Sequence, residues 1–133
     1  MVRIGVPVPL TAQHGVALRL TARGPSLSRT RLSSSHGYPP SHGYYVTFRL
    51  VVVNTGSQPV QLSPGNFVVR VAGQGSVTPF DGNAPYSGAP AQLTTTVLSP
   101  GETLRSPVTF DVRRPTGRLS YVPDRSPAVT WIY

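Results

Sequence analysis

Apolar side chains recur at every second position in several short segments of this 133-residue chain. In the longest of these segments, Val46, Phe48, Leu50 and Val52 alternate with the residues between them. A period of two places these side chains on one face of an extended strand, whereas a helix needs apolar residues three or four positions apart. No window of about eleven residues holds a helical apolar stripe free of glycine and proline. The pattern therefore predicts an all-β chain.

Turn signals separate further segments of the same kind. Ser63-Pro64-Gly65-Asn66 and Ser99-Pro100-Gly101-Glu102 each place proline and glycine at the centre of a turn. The other alternating segments begin at Val16, Phe67, Leu93, Val108, Leu119 and Val129. About seven or eight short strands joined by such turns predict one two-sheet antiparallel sandwich of immunoglobulin type over residues 1–133. We expect four aromatic side chains in its core: Phe48, Phe67, Phe110 and Trp131.

Two segments do not fit the strand pattern. The first, from Gly24 to Gly43, is rich in serine, proline and arginine and contains Ser-His-Gly-Tyr twice, at Ser35–Tyr38 and Ser41–Tyr44. Its length and composition predict a long exposed loop. The second, from Thr78 to Pro90, is interrupted repeatedly by proline and glycine. We interpret it as a crossover loop between the two sheets.

Every cationic side chain is arginine, and the charges are unevenly distributed. Twelve arginines face four acids, which gives a formal net charge of +8. The acids Asp81, Glu102, Asp111 and Asp124 all follow residue 80. Such a basic surface favours anionic partners, because the planar guanidinium pairs well with phosphate and carboxylate. A GC-rich genome would also give arginine in place of lysine without any function, so the sequence leaves both explanations open.

No residues are arranged in a recognisable catalytic motif. Cysteine is absent, which excludes disulfides and thiol chemistry. Gly73-Gln74-Gly75-Ser76 lacks the spacing of a nucleophile elbow or a phosphate-binding loop, and we interpret it as a hairpin turn. The sequence predicts a protein that is not an enzyme and that carries no cofactor.

Two histidines in the first loop, His36 and His42, could meet and bind a metal. However, no acid lies in that loop, His14 is distant in the sequence, and two ligands alone hold a metal weakly. We therefore predict no metal site.

The same loop and the strand before it supply the candidate binding residues. They combine cationic, imidazole and aromatic side chains: Arg23, Arg29, Arg31, His36, Tyr38, His42 and Tyr44. One hypothesis is a protein partner, bound through loops or by pairing of an extended peptide with an exposed sheet edge. The alternative is electrostatic binding of an anionic polymer, meaning a cell-wall polymer, lipid headgroups or nucleic acid.

From residue 45 onward, the order of motifs resembles a known family. The matching segments are Val46–Gly56, which ends in Asn-Thr-Gly, Pro64–Val71, and Leu98–Val112, which opens with Leu-Ser-Pro-Gly-Glu; Ile4-Gly5-Val6-Pro7 is also similar. They resemble the secreted or lipid-anchored immunoglobulin-like domains of actinobacteria and other Gram-positive bacteria. Many members of that family have no known function, and the mycobacterial secreted immunoprotective antigen is one of its members.

This resemblance implies a secreted or cell-envelope location. The segment from Met1 to Leu10 lacks the apolar run of a signal peptide. We therefore expect that any leader is missing from this sequence. No stretch is apolar over the ~20 residues that a membrane span requires.

Overall fold

The computed structural model describes residues 1–12 and 15–133, and these residues form mainly β-strands. The strands are β1 (Val2–Arg3), β2 (Val8–Thr11), β3 (Ala17–Ser28), β4 (Tyr44–Asn54), β5 (Val60–Leu62), β6 (Phe67–Val71), β7 (Gly75–Val77), β8 (Thr96–Leu98), β9 (Thr103–Val112), β10 (Arg118–Tyr121) and β11 (Val129–Ile132). Single turns of 3₁₀ helix cover Pro64–Asn66 and Ala84–Tyr86. No helix in this part of the chain is long and apolar enough to cross a lipid bilayer.

The strands form two sheets that face each other. The five-stranded sheet has the order β1-β11-β10-β6-β7, and the four-stranded sheet has the order β2-β3-β4-β9. A separate ladder joins β5 to β8. The pairing is antiparallel except between β1 and β11. The predicted all-β antiparallel sandwich is confirmed. The described residues contain more strand segments than expected, because short stretches such as β1, β2 and β5 also pair.

The core lies between the two sheets and takes the inward residues of each strand. Phe48, Phe67, Phe110 and Trp131 are fully buried, as their alternation predicted. The ring of Phe48, on β4, lies 4.8 Å from the ring of Tyr133, which follows β11. This edge-on aromatic contact joins the two sheets. Burying each such side chain contributes about 1.5–3 kcal/mol to the free energy of unfolding.

Two boundaries differ from the prediction. Strand β3 does not stop at Gly24 but continues to Ser28, with a bulge between Arg23 and Ser26 that accommodates the Gly-Pro pair. The connection to β4 therefore covers residues 29–43. The alternating segment from Leu93 to Leu98 is strand only over Thr96–Leu98. The predicted hairpin at Gly73–Ser76 is confirmed, since β6 pairs with β7 across it.

The Asn-Thr-Gly turn after β4 is held by one buried side chain. Asn54 is 1% exposed. Its amide nitrogen donates to the carbonyls of Gln58, at 2.8 Å, and Leu98, at 3.0 Å, while its oxygen accepts from the Gly56 N–H. The side chain therefore ties the end of β4 to β8 as well as closing its own turn.

Replacing Asn54 with alanine should lower the free energy of unfolding by about 2–3 kcal/mol, because it leaves a buried carbonyl and a buried N–H without partners. The measurement is urea unfolding of purified protein. Thr55→Ala, at the exposed neighbouring position, is the control and should change stability by less than about 0.5 kcal/mol. Equal effects of the two substitutions would contradict this role for Asn54.

Candidate functional site

Two loops cover one half of the outer face of the four-stranded sheet and leave the other half bare. A buried carboxylate on β9 holds these loops in place. Asp111 lies on β9 and is fully buried. Its Oδ2 accepts hydrogen bonds from the Ser41 N–H, the Ser41 hydroxyl and the Asn83 N–H, each at 2.8 Å. Its Oδ1 accepts from the His42 N–H at 2.9 Å. One side chain thus holds the 29–43 loop and the 78–95 loop down on the sheet.

The protonation of Asp111 follows from these contacts. Burial is the strongest influence and by itself raises the pKa of this carboxyl. The hydrogen bonds from Asn83, His42 and Ser41 together outweigh it, so the pKa lies below its ordinary value of 3.8. Asp111 is therefore a carboxylate at neutral pH, and its charge is satisfied by the amides of the two loops.

Ser41, His42 and Asp111 lie close together but not in the arrangement of a catalytic triad. The Nδ1 of His42 is 3.1 Å from the Ser41 hydroxyl oxygen and 3.4 Å from the Asp111 Oδ1. In a triad the serine and the carboxylate contact opposite nitrogens of the imidazole. Here both lie beside the same nitrogen, and the serine hydroxyl donates to the carboxylate. The cluster anchors the loops.

Tyr45 is a second anchor for the same loops. The alternation placed Tyr45 on the less apolar face of β4, yet it is fully buried because the loops cover it. Its hydroxyl lies 2.7 Å from the Tyr38 carbonyl and 3.1 Å from the Asn83 carbonyl. Burial, with a contribution from the charge of Asp111, raises the pKa of Tyr45 to about 12.

The two loops also contact each other directly. The Leu32 N–H donates to the Ser87 carbonyl at 2.7 Å. Gly37 has a φ of +99°, and a Cβ added there would lie 2.6 Å from the Ser87 carbonyl oxygen. Only glycine allows the two backbones to approach so closely. In the loops that cover this half of the face, the backbone of the 29–43 loop therefore packs directly against the backbone of the 78–95 loop.

Six of the seven predicted binding residues lie on or beside the 29–43 loop, where local contacts engage several of them. The Arg29 guanidinium lies 5.1 Å from the centre of the Tyr44 ring, and Arg31 donates to the Ser34 carbonyl at 2.9 Å. His36 is exposed, and its Nδ1 lies 2.9 Å from the Ser33 hydroxyl oxygen.

The remaining members of that set do not form one site. Tyr38 is 63% exposed and packs edge-on against Tyr86, which is 62% exposed. His42 belongs to the Asp111 cluster, and Arg23 lies on β3.

No three His, Cys, Asp or Glu residues in the described part of the chain are placed to hold a metal ion. His14 lies outside the described residues.

The bare half of the sheet carries arginines on three neighbouring strands. Arg23 on β3 is directly opposite Arg49 on β4, which places their Cβ atoms about 5 Å apart. Arg105 on β9 is opposite Val51, one diagonal step from Arg49. Arg19 lies further along β3 on the same face. We call Arg19, Arg23, Arg49 and Arg105 the first arginine face; all four are exposed.

Among the described residues, no carboxylate lies beside these arginines. Within the part of the chain that the structure describes, no arginine has a carboxylate oxygen within 4.0 Å. The carboxylates bind backbone amides instead: Asp81 accepts from the Thr78 N–H at 2.7 Å and Glu102 from the Ser99 N–H at 2.8 Å. Because like charges directly opposite each other destabilise a sheet, the pair of Arg23 and Arg49 costs folding stability.

A groove leads away from the first arginine face. A depression of about 430 Å³ is lined by Arg23, Arg49, Arg105, Val51 and Pro107 among others. A second depression of about 470 Å³ shares Arg49 and Pro107 with it and continues between the β3 bulge and the 78–95 loop. Its other walls are mostly apolar and include Pro25, Leu32, Ala89 and Pro90. The two depressions adjoin along the cross-strand pair of Arg49 and Pro107. We call them together the groove; it offers space for an extended ligand on both sides of that pair.

The sequence predicted only Arg23 of this face. Arg19 and Arg49 were visible as polar positions in alternating strands. Their grouping with Arg105 depends on the register of β3, β4 and β9, and this register is set by contacts distant in sequence. The alternation identifies outward positions but does not identify their neighbours across strands.

Solved structures share this fold. MPT63, a secreted protein from Mycobacterium tuberculosis, matches with a TM-score of 0.71 and 16% identity over 99% of this chain and 95% of its own. The yjhA protein of Bacillus subtilis matches with a TM-score of 0.68 and 12% identity over 99% and 97% of the two chains. The ycdA protein of the same species matches 96% of this chain at a TM-score of 0.67 and 16% identity, over 38% of its own longer chain. No protein-family model and no curated protein sequence matches this chain. Identities this low establish the fold alone.

Replacing Asp111 with asparagine should lower the free energy of unfolding at pH 7 by about 3 kcal/mol, because an amide cannot satisfy all the donors around it. The lowered pKa of Asp111 means that the carboxylate stabilises the fold above about pH 4, and that this stability is lost as the pH falls through the lowered value. Urea unfolding measured from pH 7 downwards should therefore show that the difference in the free energy of unfolding between wild type and Asp111→Asn becomes smaller below about pH 4.

Asp124→Asn, at an exposed turn position, is the control for Asp111→Asn. Its free energy of unfolding should equal that of wild type at each pH. No difference between wild type and Asp111→Asn at pH 7, or a gap that widens in acid, would contradict the anchoring role.

Replacing Arg49 with glutamine should raise the free energy of unfolding by about 0.5 kcal/mol at low salt, since it removes the like-charge pair with Arg23. The gain should shrink as added salt screens the repulsion. Urea unfolding at two salt concentrations measures this, with Arg125→Gln in the exposed β10–β11 turn as the control. A loss of stability at low salt would show that Arg49 has a favourable partner.

Proposed function

We propose that this protein is a non-enzymatic extracytoplasmic binding module whose first arginine face binds an anionic polymer. The observation that supports this most is the uncompensated charge of Arg23, Arg49 and Arg105, which lie together on exposed positions of one sheet. A protein that needed these side chains only for solubility would gain from separating them or pairing them with acids.

The shape and chemistry of the site favour a linear ligand with repeated anionic groups. Guanidinium groups bind phosphate and carboxylate through two parallel hydrogen bonds. The three guanidinium groups lie within one or two strand spacings of one another, so they can bind several successive anionic groups of a linear ligand. The groove beyond Arg49 and Pro107 gives the next segment of such a ligand an apolar surface on which to lie.

An extracytoplasmic location is supported by the likeness to MPT63, which is a secreted protein. The sequence motifs, which resemble secreted and lipid-anchored immunoglobulin-like domains, support the same location and the assignment to that family. Cell-wall polymers are then the accessible class of anionic ligand. The net charge of +8 would also speed their capture by long-range attraction.

A second candidate function is binding of a protein through the loops. The exposed pair Tyr38 and Tyr86 supports it, because exposed aromatic side chains are frequent in protein interfaces. Edge pairing has less support. Pro9 on β2 and Pro107 on β9 each remove a donor from the four-stranded sheet's edge strands, and the Pro107 carbonyl already accepts from the Leu93 N–H at 2.9 Å.

The double substitution Arg23→Gln/Arg49→Gln should weaken binding to inorganic polyphosphate on the order of ten-fold at low salt. The plot of log affinity against log salt should also become shallower, by roughly 0.7 for each lost phosphate contact. Biolayer interferometry over a series of salt concentrations measures both quantities.

Arg29→Gln/Arg31→Gln removes the same charge from the 29–43 loop and serves as the control for Arg23→Gln/Arg49→Gln. It should weaken binding much less, because only non-specific attraction is reduced. If the loop pair weakened binding as much as the sheet pair, the site would not be the first arginine face. Tight binding that is insensitive to salt would favour the second candidate function.

A further inference from the structure

The opposite side of the sandwich carries another row of arginines. Arg118 on β10 is directly opposite Arg70 on β6, and on its other side it is opposite Ile132 on β11. Ile132 is in turn opposite Arg3 on β1. Residues opposite one another in neighbouring strands share a face of the sheet. We call Arg3, Arg70 and Arg118 the second arginine face.

This face has the same electrostatic character as the first. Its three arginines are exposed, and in the described residues none has a carboxylate oxygen within 4.0 Å. Arg70 and Arg118 form a second directly opposed like-charge pair, which again costs stability. They border a shallow depression of about 560 Å³ that also includes Thr116 and Ile132. Like-charge pairs thus occur on both sheets of the molecule.

The two arginine faces point in opposite directions. The inward neighbours of Arg70 and Arg118, such as Val69 and Leu119, are fully buried in the core. Leu50, the inward neighbour of Arg49, is buried in the same core from the other sheet. Stacked sheets lie about 10 Å apart, and the arginines extend outward from each. A short, extended ligand segment therefore contacts one face at a time.

We infer that the second arginine face binds a second chain of the same class of anionic polymer, so that one protein molecule bridges two chains. This inference rests on the proposed function of the first face and extends it from binding to cross-linking. The first arginine face, in which Arg23, Arg49 and Arg105 cluster beside the groove, provides the tighter contact. The second arginine face is shallower. Its occupancy is raised because a protein already bound to a polymer network meets a high local concentration of anionic groups.

A two-chain capture assay tests the inference. Short polyphosphate oligomers are immobilised by one end, wild-type protein is bound to them at low salt, and fluorescent polyphosphate oligomers are then added. Short oligomers are used so that one chain does not wrap around to both faces. Wild type should capture the fluorescent chain.

The decisive variant is Arg70→Gln/Arg118→Gln. Its affinity for the immobilised oligomer should lie within about two-fold of the wild-type affinity. It should capture less than about one tenth of the amount of fluorescent chain that wild type captures. Arg29→Gln/Arg31→Gln, which removes the same charge from a loop, should capture nearly as much of the fluorescent chain as wild type, because only non-specific attraction is reduced. Circular dichroism and the unfolding midpoint establish that each variant is folded.

The outcomes separate the two proposals. If Arg23→Gln/Arg49→Gln loses primary binding while Arg70→Gln/Arg118→Gln captures the second chain fully, bridging is overturned and the proposed function stands. If Arg23→Gln/Arg49→Gln binds like wild type, the proposed function itself is overturned. Capture by a dimeric fraction alone, resolved by size-exclusion chromatography with light scattering, would also overturn bridging by a single molecule.

Discussion

The buried carboxylate of Asp111 determines which part of this molecule is available for binding. It lies on an outward position of β9, where an isolated sheet would expose it to water, and it is satisfied by the amides of Ser41, His42 and Asn83. These bonds hold two long loops against one half of the sheet. The other half, with the first arginine face, stays bare. A carboxylate suits this role because one side chain accepts several backbone donors at once and binds them more strongly than a neutral oxygen does.

The use of the acids explains why, among the described residues, the arginines on the sheet faces have no carboxylate partners. The chain has four acids against twelve arginines. Asp81 and Glu102 accept N–H groups in turns, and Asp111 accepts those of the loops. These acids contribute to local structure, and none of them neutralises a sheet face. The stability of the sandwich comes from its apolar interior and tolerates like-charge pairs on the outside, because each such pair costs only about 0.2–1 kcal/mol.

Periodicity predicted the fold well because it reports directly on burial. The residues of β4 that alternate as Val46, Phe48 and Leu50 all lie in the core. The alternation puts Tyr45 on the outer face of β4 but does not predict whether that face is covered. Tyr45 is buried there because loops distant in the sequence lie over it. The bulge in β3 was missed because a Gly-Pro pair usually ends a strand, whereas here the register shifts and pairing resumes at Ser26.

The candidate site was less predictable than the fold. The repeated Ser-His-Gly-Tyr motif predicted a binding role for the 29–43 loop, but much of that motif maintains structure. Gly37 allows a close backbone contact, and Ser41 and His42 bind Asp111. The first arginine face combines residues from three strands up to 86 positions apart in the chain, from Arg19 to Arg105. Only the cross-strand register brings them together, and a single sequence does not encode that register in any local pattern.

The place where an anionic chain contacts the protein tests the binding role of the first arginine face most directly. Mapping of amide chemical shifts in ¹⁵N-labelled protein, titrated with short polyphosphate oligomers, locates that contact residue by residue. We expect the first shifts at Arg23, Arg49, Val51 and Arg105, with the amides of Ser41 and His42 unchanged because they remain bonded to Asp111. First shifts concentrated at Tyr38 and Tyr86, with the arginine positions unaffected, would contradict binding at the first arginine face.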